Sequence, residues 1–325
     1  MELIHKYKDI IVSRLGGNLE ALILVGSFSR NEGLIKQSNG KLELISDIEY
    51  WAVMSGRKVT RHTSHVEIER ELKDYLKKQN IEVDIAIKVT TKEHLRMLKP
   101  YIFTIETKKY GKVLWGDEKI LDYIPDYTER DIVPLDGFIL LNNRIVEQLI
   151  VWQKASSGQP TRYYDIVKGY IQLVNSYLAV NKTYKCLYPE KQEEFHRTYN
   201  GNSYLKDRVN QAFAFLKQPE NIILAQDDAL KQWQELRDYY RQMWEQQLHI
   251  FVKTPSFIQG IKWWIKILVD SRKRSLFSFI EIFTNLFITS PQFLIYRYAA
   301  REYFSDNSNA FKINWIIKQW ETIVK

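Results

Sequence analysis

The stretch that decides the fold is VGSFSRNEG, residues 25–33, followed fourteen residues later by DIEY, residues 47–50. The first motif ends the apolar run ALILVG (21–26), which is typical of a buried strand. The second motif places two carboxylates, Asp47 and Glu49, at positions i and i+2, which point to the same face of a strand. Each motif alone is common, so the information lies in their order along the chain.

A third carboxylate, Asp84, lies on the polar side of the alternating strand pattern IEVDIAIKV (81–89). A carboxylate among apolar residues is costly unless it has a partner, and a metal ion is such a partner. Mg²⁺ prefers oxygen ligands, and carboxylates that bridge two metal ions serve phosphoryl transfer. Asp47, Glu49 and Asp84 are therefore predicted to be both catalytic and metal-binding.

The end of the first strand is suited to bind phosphate. Gly26 lets the backbone approach an anion closely, because it has no side chain. Ser27 follows at the start of a turn or helix, where its N–H and hydroxyl can donate to a phosphate. Arg30 is near enough in sequence to add positive charge. These three residues are predicted to bind the phosphates of a nucleotide.

Taken in order, these motifs resemble those of the polymerase-β-like nucleotidyltransferase superfamily over roughly residues 18–90. The resemblance implies a mixed-sheet domain, an NTP or dNTP substrate, Mg²⁺ or Mn²⁺ as cofactor, and pyrophosphate release when an acceptor hydroxyl is nucleotidylated. Two features depart from the family pattern. LIKQSNGKLELI (34–45) lengthens the interval before the acids, and Glu49 replaces the commoner Asp.

GSFSRNEG and SDIEYW also resemble bacterial members of the superfamily that have a long helical C-terminal half. Some act in anti-phage defence, as cyclic-nucleotide synthases or as Hailong-type enzymes that polymerise nucleotides. This branch implies a single-stranded product or primer, or a signal read by a partner effector protein. Nucleotidylation of a protein hydroxyl or a small molecule is the alternative, as is a catalytically silent nucleotide or nucleic-acid sensor.

The composition is that of a folded, helix-rich protein. Of 325 residues, 45% are hydrophobic and 26% charged, with only 13 Gly and 8 Pro. The net charge of +8 suits anionic ligands such as nucleotides or nucleic acid, although many proteins are simply basic. One cysteine, Cys186, excludes an intramolecular disulfide and a cysteine metal cluster, and a buried apolar thiol is the expected state.

The patterns predict an α+β fold, with a small mixed-sheet nucleotidyltransferase domain at 1–130 and a large α-helical domain at 131–325 that closes over the nucleotide. The predicted strands cover residues 21–26, 41–54, 81–89 and 111–117. The predicted helices cover residues 3–15, 64–80, 90–98, 136–155, 162–181 and 232–248.

The helical half is expected to supply further nucleotide contacts. TRYYDIVKGY (161–170) brings Tyr163, Asp165 and Lys168 within about one helical turn or so. Lys168 is the first candidate phosphate ligand, with Lys182 and Lys185 behind it, and Tyr163 is a candidate for stacking on the base. Solvated lysines and a packed tyrosine are the alternative for each residue.

Residues 256–298 are the most apolar part of the chain, but no uninterrupted apolar run reaches the ~18 residues that a membrane span needs. Five cations and one anion lie between residues 262 and 274. Contact with an anionic membrane surface through 256–290, nucleic-acid binding and a helical core with a basic rim all remain open. The charged, amphipathic N-terminus predicts a cytoplasmic protein.

Overall fold

The computed structural model describes residues 2–38, 41–55, 85–220, 222–251, 291–305 and 309–323, together with Arg70, Asp74 and Lys78. These last three are the described part of the helix predicted at 64–80, and all three are helical and exposed. Asp84 and the stretch from 256 to 290 lie outside the described residues.

The described strands are β1 (Leu19–Val25), β2 (Ile35–Ser38), β3 (Lys41–Leu44), β4 (Ile48–Met54), β5 (Ile85–Thr90), β6 (Lys112–Gly116), β7 (Thr161–Arg162) and β8 (Ile223–Leu224). The described helices are α1 (Glu2–Leu15), α2 (Gly26–Ser29), α3 (Lys92–Arg96), α4 (Ile102–Tyr110), α5 (Pro134–Ser156), α6 (Tyr163–Val180), α7 (Tyr188–Thr198), α8 (Ser203–Lys217), α9 (Gln226–Phe251), α10 (Pro291–Tyr303) and α11 (Ala310–Ile323).

The central sheet has the strand order β5–β4–β1–β6. β1 runs antiparallel to β4 and β6, whereas β4 runs parallel to β5 with Ile48 opposite Ile85. The sheet is therefore mixed, as predicted, and β6 forms one edge of it. Thr91 caps α3 by accepting a hydrogen bond from the His94 N–H at 3.2 Å, which explains why the short helix starts there.

Both faces of β1 and β4 are buried, and the alternation of side chains decides which face each residue takes. Leu22, Leu24 and Tyr50 pack on the side of α1. Trp51 packs on the other side together with Ala21, Ile23 and Val25 of β1, against α3 and the turn at Ile120–Tyr123. Each fully buried side chain contributes about 1.5–3 kcal/mol to the free energy of folding, so the pairing register of β1 with β4 is strongly specified.

The single strand predicted at 41–54 is wrong. Its first part, β3, pairs with β2 in a separate two-stranded hairpin, and only Ile48–Met54 enters the central sheet as β4. Apolar residues recur at even positions on both sides of the break (Leu42, Leu44, Ile48 and Tyr50), so the sequence pattern does not reveal that the chain leaves one sheet for another.

The region after the sheet is helical, so the predicted fold class, α+β with a small mixed sheet followed by a large helical region, is confirmed. The chain forms two compact units that are interleaved in sequence. The first comprises Met1–Asp136, Asn181–Asn200 and Phe213–Asn221, and the second comprises Gly137–Val180, Gly201–Ala212 and Ile222–Lys325. Segment 181–200 therefore belongs with the sheet.

Buried hydrogen bonds hold the helices of the second unit together. Tyr240 on α9 donates to the carbonyl of Gly169 on α6 at 2.8 Å. Asn143 on α5 accepts from the Tyr296 hydroxyl at 2.6 Å and from the Trp320 indole at 2.9 Å, which ties α10 and α11 to α5. Among the described helices, none is both long and apolar enough to cross a membrane.

Asp136 should make the stability of the first unit depend on pH. Its carboxylate accepts from the Ile102 N–H at 2.8 Å, at the start of α4. Burial, with the negative charge of Glu106 adding to it, raises the pKa of Asp136 from 3.8 to about 6. A raised folded-state pKa means that this group stabilises the fold below about pH 4, and that its contribution is lost as the pH rises through 6.

We therefore expect Asp136→Asn to stabilise the protein by about 1 kcal/mol at pH 8, and to gain nothing at pH 4. Urea unfolding at the two pH values measures this. Asp131 provides a control of opposite sign, because hydrogen bonds from Thr128 lower its pKa. Asp131→Asn should lose stability at pH 8 and be neutral at low pH. Equal effects of Asp136→Asn at both pH values would contradict the argument.

Candidate active site

Gly26 and Glu49 meet at the point where β1 ends. Val25 is the register partner of Glu49, and Gly26 follows with a φ of +69°. A Cβ on Gly26 would lie 2.0 Å from Oε2 of Glu49. Two features therefore favour glycine at this position. The backbone is left-handed, and the Glu49 carboxylate occupies the space that a side chain would need.

The turn after Gly26 is closed by its own hydrogen bonds. The Ser29 hydroxyl donates to the Gly26 carbonyl at 2.9 Å, and the Glu32 N–H donates to the Ser27 carbonyl at 2.8 Å. Asn31 adopts a φ of +60°, which asparagine tolerates better than most residues. Residues 26–32, which include the short helix α2, thus form a compact loop at the end of β1.

The long interval before the acids does not separate them from this loop. The β2–β3 hairpin leaves at Leu34 and returns at Ser46. The Leu34 N–H donates to the Ser46 hydroxyl at 2.8 Å, and the Ile45 N–H donates to the Leu34 carbonyl at 3.0 Å. Asp47 follows at once, so the hairpin is an insertion whose two ends are held together.

Asp47 directly precedes β4 and Glu49 is the second residue of that strand, so their shared face stays a prediction. Both are half-buried, and Ile48 between them is fully buried on the α1 side. Glu49 and Trp51 share the other side by the alternation of β4. The Glu49 carboxylate beside Gly26 offers oxygen atoms of the kind that Mg²⁺ prefers as ligands. Within the described residues, however, no cluster of three or more metal-ligating side chains is formed.

One residue of β5 shows which side of that strand faces the same way as Glu49 and Trp51. Lys88 is the register partner of Trp51, and its ammonium group lies 5.2 Å from the centre of the Trp51 ring. The even-numbered side of β5 therefore faces the same way as Glu49 and Trp51. Asp84, the third predicted catalytic residue, lies outside the described residues, directly before β5 in the sequence.

Arg30 has other partners than the predicted phosphates. Its Nε donates to Oε2 of Glu32 at 2.8 Å, and its Nη1 donates to Oε2 of Glu106 at 2.6 Å. The side chain is only 6% exposed. Burial lowers the pKa of Arg30, but the charges of Glu106 and Glu32 outweigh it, so the guanidinium stays protonated. This guanidinium is part of the interior of the first unit.

The predicted contacts from the helical half divide between the two units. Tyr163 and Lys168 lie on α6, in the second unit, and both are partly buried. Burial raises the pKa of Tyr163, and the charges of Arg208 and Glu235 are close enough to modify it. Asp165, between them, pairs with Arg162 at 2.9 Å.

Lys182 belongs to the first unit, with the sheet. It is exposed and has a φ of +57°. Lys185, three residues on, is exposed too. Of the lysines predicted to bind phosphate, these two share the unit that carries Gly26 and the carboxylates.

Cys186 is fully buried, as expected, but beside polar rather than apolar groups. Its thiol donates to Oε1 of Glu129 at 3.3 Å, and Lys109 donates to the same oxygen at 2.7 Å. Burial first, and then the charges of Glu106 and Glu129, raise the pKa of the Cys186 thiol to about 12. A thiol in this state is a poor nucleophile.

Sequence reasoning missed Glu32 and Glu106 as partners of Arg30, and it missed Tyr184 and Lys191 as the other donors to Glu106. One signal was present. Glu106 interrupts the stretch Thr104–Thr107 of α4, whose other residues are buried, and a carboxylate in that position needs a cationic partner. The sequence does not indicate which of the 47 basic residues supplies it.

Neither a protein-family model nor a curated protein matches the chain significantly. A toxin–antitoxin structure solved with AMP-PNP is similar, with 17% identity over 36% of this chain and 77% of that one, at a TM-score of 0.25. Spectinomycin adenyltransferase AAD(9) from Enterococcus faecialis, solved with ATP and spectinomycin, shares 14% identity over 74% of this chain and 98% of its own, at a TM-score of 0.48. At these values the similarities assign neither a family nor an activity to this chain.

Proposed function

We propose that this protein transfers a nucleotide from an NTP or dNTP to an acceptor hydroxyl and releases pyrophosphate. The observation that carries the proposal is the position of Gly26 beneath the Glu49 carboxylate at the end of β1, with Asp47 two residues before Glu49 in the sequence. A backbone that can approach an anion, beside two half-buried acids, has the parts that a triphosphate and its metal ions need.

Asp84 completes the proposed acid set. Ile48 opposes Ile85 in the parallel pair, and Lys88 lies over Trp51. The alternation of residues 81–89 in the sequence predicts Asp84 on the even-numbered side, with Lys88. Asp47, Glu49 and Asp84 would together hold Mg²⁺ or Mn²⁺, which would supply the positive charge that neutralises the triphosphate.

The residues of this chain then have distinct roles. The acceptor oxygen attacks the α-phosphorus, the bond from that phosphorus to the bridging oxygen breaks, and pyrophosphate leaves. Asp84 takes the proton of the acceptor hydroxyl. Gly26 leaves room for the anion and Ser27 donates to it. Most of the rate enhancement comes from positioning and from charge neutralisation.

For the product, we propose an oligonucleotide or a nucleotide signal in anti-phage defence. The net charge of +8 supports a polyanionic product or acceptor over a cationic small molecule. The resemblance of the loop and acid motifs to defence enzymes is the second support. The contacts of Tyr163 and Lys168 with the nucleotide stay predictions.

The test is to incubate the protein with each α-labelled NTP and dNTP in Mg²⁺ or Mn²⁺, and to resolve the products by gel and mass spectrometry. A ladder or a cyclic species identifies a synthase, and label on the protein identifies a protein hydroxyl as acceptor. Nucleotide binding without pyrophosphate release under every condition would instead identify a sensor, and would overturn the proposal.

A further inference from the structure

A cluster of buried charges connects the loop at residues 26–32 to segment 182–191. Its centre is Glu106 on α4, whose side chain is 11% exposed. Oε2 of Glu106 accepts from Arg30 at 2.6 Å. Oε1 accepts from the Tyr184 hydroxyl at 2.7 Å and from Lys191 Nζ at 3.2 Å. One carboxylate thus binds three donors from two distant parts of the chain.

Glu32 makes a second connection between the same two segments. Its Oε2 accepts from Arg30 Nε at 2.8 Å, and its Oε1 accepts from the Tyr188 N–H at 2.5 Å, where α7 begins. The Glu32 N–H donates to the Ser27 carbonyl. An unbroken series of hydrogen bonds therefore runs from Ser27 to the first residue of α7.

The charges in the cluster depend on one another. Burial would raise the pKa of Glu106, but Lys191 and Arg30 outweigh it, and the pKa lies below its usual value. Burial lowers the pKa of Lys191, whose side chain is 1% exposed, and Glu106 opposes that shift. Because an unpaired buried charge costs several kcal/mol, the loss of one partner destabilises the position of all the others.

Segment 182–191 presents two exposed lysines, one between its two anchor points and one just before them. Tyr184 is buried and fixed by Glu106, and Tyr188 is fixed by Glu32. Lys185 lies between these anchors and Lys182 just before them, and both are exposed. Their backbone positions relative to Ser27 are therefore set by the two carboxylates, while their ammonium groups face solvent.

We propose that Glu106 and Glu32 are positioning residues, which hold segment 182–191 against the Gly26–Ser27 loop so that the two exposed lysines and the loop bind one polyphosphate. This rests on the proposed nucleotidyl transfer, and it names the source of the positive charge for the triphosphate and the leaving pyrophosphate. Neither glutamate touches the substrate.

The experiment titrates inorganic tripolyphosphate into the full-length protein by calorimetry. We expect Glu106→Gln to weaken binding about tenfold, because the variant leaves Arg30 and Lys191 with one carboxylate fewer and loosens both segments. The matched control is Glu194→Gln, which removes another buried carboxylate from the same unit, one that pairs with Arg197 on its own helix. It should bind as the wild type does.

A kinetic measurement separates positioning from loss of folding. Glu106→Gln should raise the KM for the nucleotide about tenfold and leave kcat within about threefold, since the acids are untouched. A variant that merely unfolded in part would lose kcat without raising KM. Should Glu106→Gln fail to fold, Tyr184→Phe removes a single hydrogen bond to Glu106, and should raise KM about threefold.

The outcomes distinguish this inference from the proposed function. Unchanged tripolyphosphate binding in Glu106→Gln and Tyr184→Phe overturns the inference, and so does a wild-type protein that does not bind tripolyphosphate. Nucleotide turnover with an unchanged KM in the variants overturns the inference and leaves the proposed function standing. Weakened binding in a protein that turns over no nucleotide supports the positioning role and overturns the proposed function.

Discussion

Asp47→Asn is expected to lower nucleotidyl transfer by at least about 10³-fold while the protein stays folded. The substitution keeps the size of the side chain and one acceptor oxygen but removes the negative charge that a divalent cation requires. A loss of this size corresponds to roughly 4 kcal/mol of transition-state stabilisation. Asp47 is half-buried at the entry to β4, so the melting temperature should shift by less than about 2 °C.

The measurement is initial-rate turnover of the preferred labelled nucleotide, beside a thermal melt of the same preparation. Asp122→Asn is the control, because Asp122 is an exposed carboxylate in the same unit and is not one of the proposed catalytic acids. It should match the wild type in both assays. Asp84→Asn should behave as Asp47→Asn does. Turnover retained by Asp47→Asn would remove the proposed catalytic role.

Gly26→Ala is expected to lower turnover about 10²-fold at a small cost in stability. The new Cβ would lie 2.0 Å from the Glu49 carboxylate, whose far end can rotate away without moving the backbone. Folding therefore tolerates the change, but the displaced carboxylate no longer lies where the proposed site needs it, and displacements of about 1 Å cost roughly 10²-fold in rate. The positive φ of +69° adds about 1 kcal/mol of strain.

Gly158→Ala isolates that strain from the contact with Glu49. Gly158 has a similar φ of +71°, but the nearest atom to its new Cβ would be Gln226 Oε1 at 3.8 Å. Both variants should lose about 1 kcal/mol in urea unfolding, whereas only Gly26→Ala should lose turnover. Equal turnover in the two variants would show that the approach of Glu49 to Gly26 has no role in the reaction.

Local patterns in the sequence predicted most of the elements that build the site. The apolar run before Gly26 is β1, and the periodicity of residues 136–155 and 162–181 is that of α5 and α6. These signals are readable because each strand or helix buries one regular set of its own positions. The spacing of Asp47 and Glu49 predicts a shared face, since side chains alternate on a strand whatever it packs against, but Asp47 lies one residue before β4.

The same patterns do not show where the chain leaves one sheet for another, because the spacing of the apolar residues does not change there. Apolar residues recur at even positions from Leu42 to Met54, with only Ser46 interrupting them, yet β3 and β4 belong to different sheets. The break at Ser46 is set by its hydrogen bond to Leu34, twelve residues earlier. Alternation records that a segment is a strand with a buried face, and it does not record which strand lies beside it.

The sequence by itself thus determined the order of the glycine, the serine and the acids, and the elements that carry them. Tertiary structure alone decided that Glu49 lies over Gly26, and that Arg30 pairs with Glu106, 76 residues away. The physical reason is that the cost of a buried charge requires a partner but does not specify it. Folding brings Tyr184 and Lys191 to the same carboxylate oxygen of Glu106. No local pattern in these segments of the sequence indicates that they meet.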